Sequence, residues 1–154
     1  MKQFDHERLD VYKRAIEVVV HANGIVEGLP RGCGHLADQL HRATTSIPLN
    51  IAEGAGEFAQ REKARFYRMA RRSATESAAV LDVCLHLGLI TQDRHDQGRD
   101  LLLQVVSMLV RMISNLGPGA PGDLEEGEEG GQGQGQGQGQ GEYGARAVGQ
   151  GGRA

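Results

Sequence analysis

From Leu36 to Phe58, apolar and small residues recur at intervals of four, three, four, four, three and four: Leu36, Leu40, Ala43, Ile47, Ile51, Gly54 and Phe58. That spacing is helical, and it crosses Pro48 without losing phase. A helix that stopped at the proline would have no reason to resume in register, so one bent helix from about His35 to Phe58 is expected. An interior proline costs about 3 kcal/mol, because it lacks an amide donor and its ring meets the carbonyl four residues back. Burying a large apolar side chain gains about 1.5–3 kcal/mol before chain entropy is counted. Leu36, Leu40, Ile47, Ile51 and Phe58 together outweigh the proline. The carbonyl that Pro48 leaves without its amide is that of Thr44, with water or the Thr45 hydroxyl as candidate donors.

Three further segments show helical spacing, and strand signals are nearly absent. The first runs from about Asp5, a candidate N-cap, to Glu27, with Leu9, Tyr12, Ile16, Val19 and Val26 on its expected inner side. "GLPRGCG" breaks it. The third runs from about Gln60 to Leu87, with Phe66, Met69, Ala70, Ser73, Ser77, Val80, Cys84 and Leu87 facing inward. Small residues in its middle (Ala70, Ser73, Ala74, Ser77, Ala78) allow close helix approach. Gly88 is its candidate left-handed terminator. Thr91 or Asp93 is expected to cap the fourth, which runs to about Asn115 and carries Leu102, Val105, Val106, Leu109, Met112, Ile113 and Leu116. The fourth is apolar over more than one stripe, which suits contact with several neighbours or another subunit. Four long helices with short joins predict an all-α, up-down-up-down antiparallel four-helix bundle over residues 1–116.

Beyond it, composition shifts. Residues 117–154 hold 15 of the 23 glycines and a five-fold Gly-Gln repeat. They carry two basic against six acidic residues, whereas residues 1–116 carry 15 against 14. The net charge of −3 therefore belongs to the tail, which is expected to be a disordered, solvated spacer because it lacks apolar surface to bury. The opening "MKQFDHERLD" has no apolar core of a leader, and no run of about 18 apolar residues exists, so neither a signal peptide nor a membrane span is expected. With only Cys33 and Cys84 there is no disulfide framework, and a cytoplasmic protein is expected.

Chemistry-bearing patterns are few. Asp38-x-x-His41 is the nearest approach to a bundle metal motif, and di-iron bundles need Glu-x-x-His. No phosphate loop follows a strand. No metal, cofactor or small-molecule substrate is expected, and no enzyme. The informative feature is basic. Arg61, Lys63, Arg65, Arg68, Arg71 and Arg72 crowd twelve residues that contain one acid, Glu62. Arg61, Arg65, Arg68 and Arg72 fall within about 60° of one another at about 3.6 residues per turn. Like charges so placed repel. Phosphates would offset that cost through bidentate guanidinium contacts and counterion release. So would carboxylates of a neighbouring helix or subunit, with Glu53 and Glu57 the candidates. No aromatic platform accompanies the stripe, which disfavours base stacking against recognition of structured or duplex RNA by shape and phosphate.

On the second helix, Ser46, Asn50, Glu53 and Glu57 lie off the core stripe. They are read as a polar cluster near the Pro48 kink or a subunit contact, in preference to a catalytic carboxylate. Leu49, also off the stripe, favours a subunit interface.

The residues Gln39, Arg42, Ala43, "SIPLNIAEG" (Ser46 to Gly54), Arg65-Phe66, Ser73, Glu76 and Leu87-Gly88, with "LDVYKRA" near the start, resemble the four-helix-bundle family first described from reading frames in bacterial 23S rRNA intervening sequences. The likeness spans about residues 4–116. It implies a bundle that assembles as a ring-like homopentamer. It extends to the accessory protein of diversity-generating retroelements, which binds reverse transcriptase and nucleic acid. His41 stands where the family often has arginine and Glu57 where it often has a basic residue, so the second helix is less cationic here. The resulting expectation is a non-enzymatic oligomeric adaptor for structured RNA or DNA, or for a protein such as a reverse transcriptase. The alternative is a structural scaffold whose arginines close subunit interfaces.

Overall fold

The computed structural model of the chain describes residues 1–117. A single 3-10 turn, Asp5–Arg8, precedes four helices: α1 Asp10–Gly28, α2 Gly34–Gly56, α3 Gln60–His86 and α4 Gln92–Ser114. Apart from Gly117, the expected low-complexity tail lies outside the described residues. Each helix packs against its neighbours in sequence, and α1 closes the ring against α4, with no close backbone approach across either diagonal. Side-chain pairs fix the directions. Gln39 meets Glu76 and Ser46 meets Ser73, so α3 runs against α2. Asp82 meets His95, and Leu81 lies against Gly98, so α4 runs against α3. His21 contacts Gly98 and Gly24 contacts Arg94, so α1 runs against α4.

α2 is continuous through Pro48, which is itself buried. The hydroxyls around the kink turn back along the helix. Thr44 Oγ1 donates to the Leu40 carbonyl at 2.7 Å and Thr45 Oγ1 to that of His41 at 2.6 Å. Such bonds four residues back favour bending. They also commit the Thr45 hydroxyl to His41 rather than to the Thr44 carbonyl.

Six members of the α2 stripe are buried as expected, but Phe58 is 100% exposed. The helix ends at Gly56, and Glu57 is extended (φ −78°, ψ 137°), so Phe58 lies beyond the turn and loses the stripe's phase.

The inner face of α1 is Val11, Ala15, Val18, Ala22 and Ile25, about one residue out of phase with the expected stripe. Ile16, on the expected stripe, is exposed, and Leu9, Tyr12, Val19 and Val26 are only half-buried. The helix has two competing apolar stripes, and the one inside carries the alanines, which permit closer packing. Asp5 does not cap α1. It opens the 3-10 turn, where the Phe4 amide donates to Glu7 Oε2 at 2.7 Å.

In α3 the buried face includes Ala64, Tyr67, Ala74 and Leu81 beside the expected Ala70, Ser77, Val80 and Cys84. Met69 and Leu87 are exposed, and Phe66 and Ser73 are half-buried. The cause is close contact with α2. A Cβ on Gly54 would lie 2.6 Å from Tyr67 Cε1 and 3.2 Å from Phe66 Cβ, so the Tyr67 ring occupies the space that Gly54 leaves. Gly98 does the same on α4, where a Cβ would meet Leu81 Cδ1 at 2.7 Å.

Gly88 follows α3 at φ +71°, the left-handed terminator expected. Thr91 caps α4, its Oγ1 accepting the Arg94 amide at 3.2 Å.

Candidate nucleic-acid interface

The six basic residues between Arg61 and Arg72 separate into four environments. Arg61, Arg71 and Arg72 are exposed and form no ion pair among the described residues. Arg65 pairs with Glu62 on its own helix, Nε to Oε2 at 2.8 Å, and its guanidinium lies over the Phe66 ring, 4.7 Å from the centroid. Arg68 is half-buried, and its Nη1 is buried without a hydrogen-bond partner among the described residues.

Lys63 leaves the group. Its Nζ donates to the Ala55 carbonyl at 3.2 Å, so it fastens the C-terminal turn of α2, where unpaired carbonyls favour a cation. The stripe is therefore Arg61, Arg65, Arg68 and Arg72 on the outside of α3, with Arg71 to one side. Neither Glu53, exposed, nor Glu57, half-buried, forms an ion pair with these arginines within the described residues.

Beside the stripe, the α2–α3 contact carries a polar seam. Ser46 Oγ and Ser73 Oγ share a hydrogen bond of 2.9 Å. Asn50 Nδ2 donates to both the Ser46 carbonyl and Ser46 Oγ, each at 2.9 Å. Arg42 donates to Gln39, which donates to Glu76. The "SIPLNIAEG" stretch thus resolves into separate tasks. Ile47 and Ile51 fill the core, Ser46 and Asn50 hold the seam, and Gly54 admits Tyr67.

Leu49 and Glu53 point outward. Leu49 is 61% exposed and borders a shallow depression of about 410 Å³ lined also by His41, Arg42, Thr45, Ser46 and Asn50.

A second polar cluster escaped the sequence reading. His95, almost wholly buried at the α3–α4 contact, places Nε2 2.7 Å from Asp82 Oδ1 and Nδ1 2.9 Å from Asp96 Oδ1. Both neighbours are acceptors, so only the doubly protonated imidazolium satisfies both. The hydrogen bond to Asp82, then that to Asp96, holds the His95 pKa above its ordinary value. The same imidazole, helped by Gln92, holds the Asp96 carboxyl below its ordinary value. Asp82 and His95 stand thirteen residues apart on different helices, and no local pattern links them. Burial pushes the Tyr67 hydroxyl and the Cys84 thiol up. Among the described residues no group of three or more His, Cys, Asp or Glu is placed to hold a metal ion. No described helix is long and apolar enough to cross a membrane.

Residues 7–111 match the family described as 23S rRNA-intervening sequence protein. The fold is similar to the crystal structure of a protein with unknown function from the S23 ribosomal protein family of Bacteroides thetaiotaomicron. The two share 19% sequence identity at a TM-score of 0.63, over 67% of this chain and 97% of that one. No curated protein sequence matches this chain.

Proposed function

This chain belongs to the 23S rRNA-intervening sequence protein family, and from that premise we propose that it is a non-enzymatic, oligomeric helical-bundle adaptor that holds structured RNA on the outer face of α3. One observation carries the reading: Arg61, Arg71 and Arg72 are exposed without a carboxylate partner among the described residues. Their mutual repulsion is left uncompensated among the described residues, and a phosphate backbone supplies what is missing there. Recognition is by phosphate and shape. Tyr67 is buried, and Phe66 already lies under the Arg65 guanidinium, so base stacking has no free platform on the stripe. The exposed Leu49 supports a subunit contact on α2, and the same arginine face would suit an acidic protein such as a nucleic-acid-handling enzyme.

The test is fluorescence anisotropy of a labelled RNA hairpin with the full chain across a salt series, beside light scattering. Arg61→Glu, Arg65→Glu and Arg72→Glu together should weaken binding and lower the log–log salt slope by about 3, with particle mass unchanged. Arg68 is left alone, because its buried Nη1 makes reversal a folding perturbation. Unchanged RNA affinity overturns the assignment. Loss of particle mass favours the alternative, a structural scaffold in which these arginines bridge to Glu53 or Glu57 of another subunit.

A further inference from the structure

We propose that the acidic run Asp123–Glu129 of the same chain docks on the arginine face of α3 and competes there with the polyanion; this rests on that face being the binding surface. The antiparallel packing makes the argument. Leu81 lies against Gly98 and Asp82 against His95. Counting outward from those pairs in opposite directions brings Arg68 level with about Arg111, and Arg61 level with the end of the described chain at Gly117. The described chain therefore ends on the neighbouring helix, level with the N-terminal end of the arginine stripe.

From Gly117 to Asp123 is six residues, a reach of at most about 20 Å. The stripe from Arg61 to Arg72 is eleven residues of helix, about 16 Å at 1.5 Å per residue. The run "DLEEGEE" can extend to about 25 Å, enough to lie along the whole stripe.

Charge is complementary at both ends of that span. The run presents Asp123, Glu125, Glu126, Glu128 and Glu129 with no base among them. The stripe presents four arginines whose single ion pair among the described residues is Arg65 to Glu62. Arg68 is half-buried, so Arg61, Arg65 and Arg72 present most of that charge to solvent. Exposed charge pairs are individually weak and screened by salt. A tethered segment nonetheless meets its site at an effective concentration in the millimolar range. Such a contact is populated when the site is empty and yields to a longer polyanion. The chain thereby carries a threshold that weak or short anions do not pass.

The decisive measurement is paramagnetic relaxation in the full chain. A nitroxide is placed on Leu124→Cys, in a background with Cys33→Ser; Cys84 is buried and needs no change. Docking predicts broadening of the backbone amides of residues 61–72 at 50 mM salt. The broadening should disappear at 500 mM salt and in a variant with Asp123→Asn, Glu125→Gln, Glu126→Gln, Glu128→Gln and Glu129→Gln. Absence of broadening at low salt overturns the proposal, whatever RNA does. Broadening seen only when labelled and isotope-labelled chains are mixed assigns the contact to a neighbouring chain and overturns the same-chain form. In parallel, the neutralised variant should bind the RNA hairpin about five- to tenfold more tightly at low salt, since the bound state no longer competes with a closed one. If broadening occurs and RNA does not bind, the docking stands and the RNA reading fails.

Discussion

Gly54→Ala tests the close packing of α2 on α3. An ideal Cβ there would lie 2.6 Å from Tyr67 Cε1 and 2.8 Å from Tyr67 Cδ1, whereas comfortable carbon–carbon separations are about 3.5–4.0 Å. The ring must retreat by about an ångström, and Tyr67, 4% exposed, has little free space to enter. Overpacking of this kind costs about 1–3 kcal/mol. Against it stands the gain from replacing glycine within a helix, about 0.5–1 kcal/mol. The net expectation is a loss of about 1–2 kcal/mol.

Gly56, two residues on, supplies the control. A Cβ there meets nothing within 4 Å, and Gly56 is not among the left-handed glycines. Gly56→Ala should therefore raise stability by about 0.4–1 kcal/mol. Urea unfolding of the full chain at one fixed protein concentration reads both, since the midpoint of any protein that self-associates depends on concentration. The two glycine-to-alanine changes should move the midpoint in opposite directions at unchanged slope. Equal shifts of the same sign would show that helix propensity, not the Tyr67 contact, governs Gly54, and the packing argument would fail.

His95 predicts a pH dependence. Its folded pKa lies above the ordinary value, so its contribution is fully present below about pH 6.5 and is lost as pH rises through the folded value. Asp96, depressed, contributes above about pH 3.9 and loses that as pH falls through its folded value. The urea-midpoint gap between the native chain and His95→Gln should therefore be widest between about pH 4 and 6.5 and narrow on the alkaline side. A gap constant from pH 5.5 to 9 would refute the imidazolium. Thr91→Ala removes the acceptor for the Arg94 amide and should cost about 1 kcal/mol, with faster amide exchange confined to the first turn of α4. Uniformly faster exchange would point to a global effect instead.

What residue order settled was local. The unbroken stripe around Pro48 required a continuous α2, the Leu87-Gly88 pair ended α3, and Thr91 could be named among the caps of α4 because a cap uses only its own turn. Where two local solutions competed, order along the chain could not choose. α1 carries two apolar stripes of similar strength, and contact with α2 and α4 placed the alanine-bearing one inside. Phe58 fits the α2 period but lies past the turn after Gly56. Tyr67 looks surplus on a helical wheel, yet the space at Gly54 draws it inward. The sites followed the same division. Six basic residues were visible in sequence, but their different environments were not. Lys63 turns to the α2 carbonyl of Ala55, Arg68 is half-buried, and Arg61, Arg71 and Arg72 face outward, because the helix-to-helix contacts around α3 differ along its length. His95 finds Asp82 only because α4 runs back along α3. Periodicity reports which faces of a helix can be buried; the space between neighbouring helices and their relative register decide which face is buried and which charges meet.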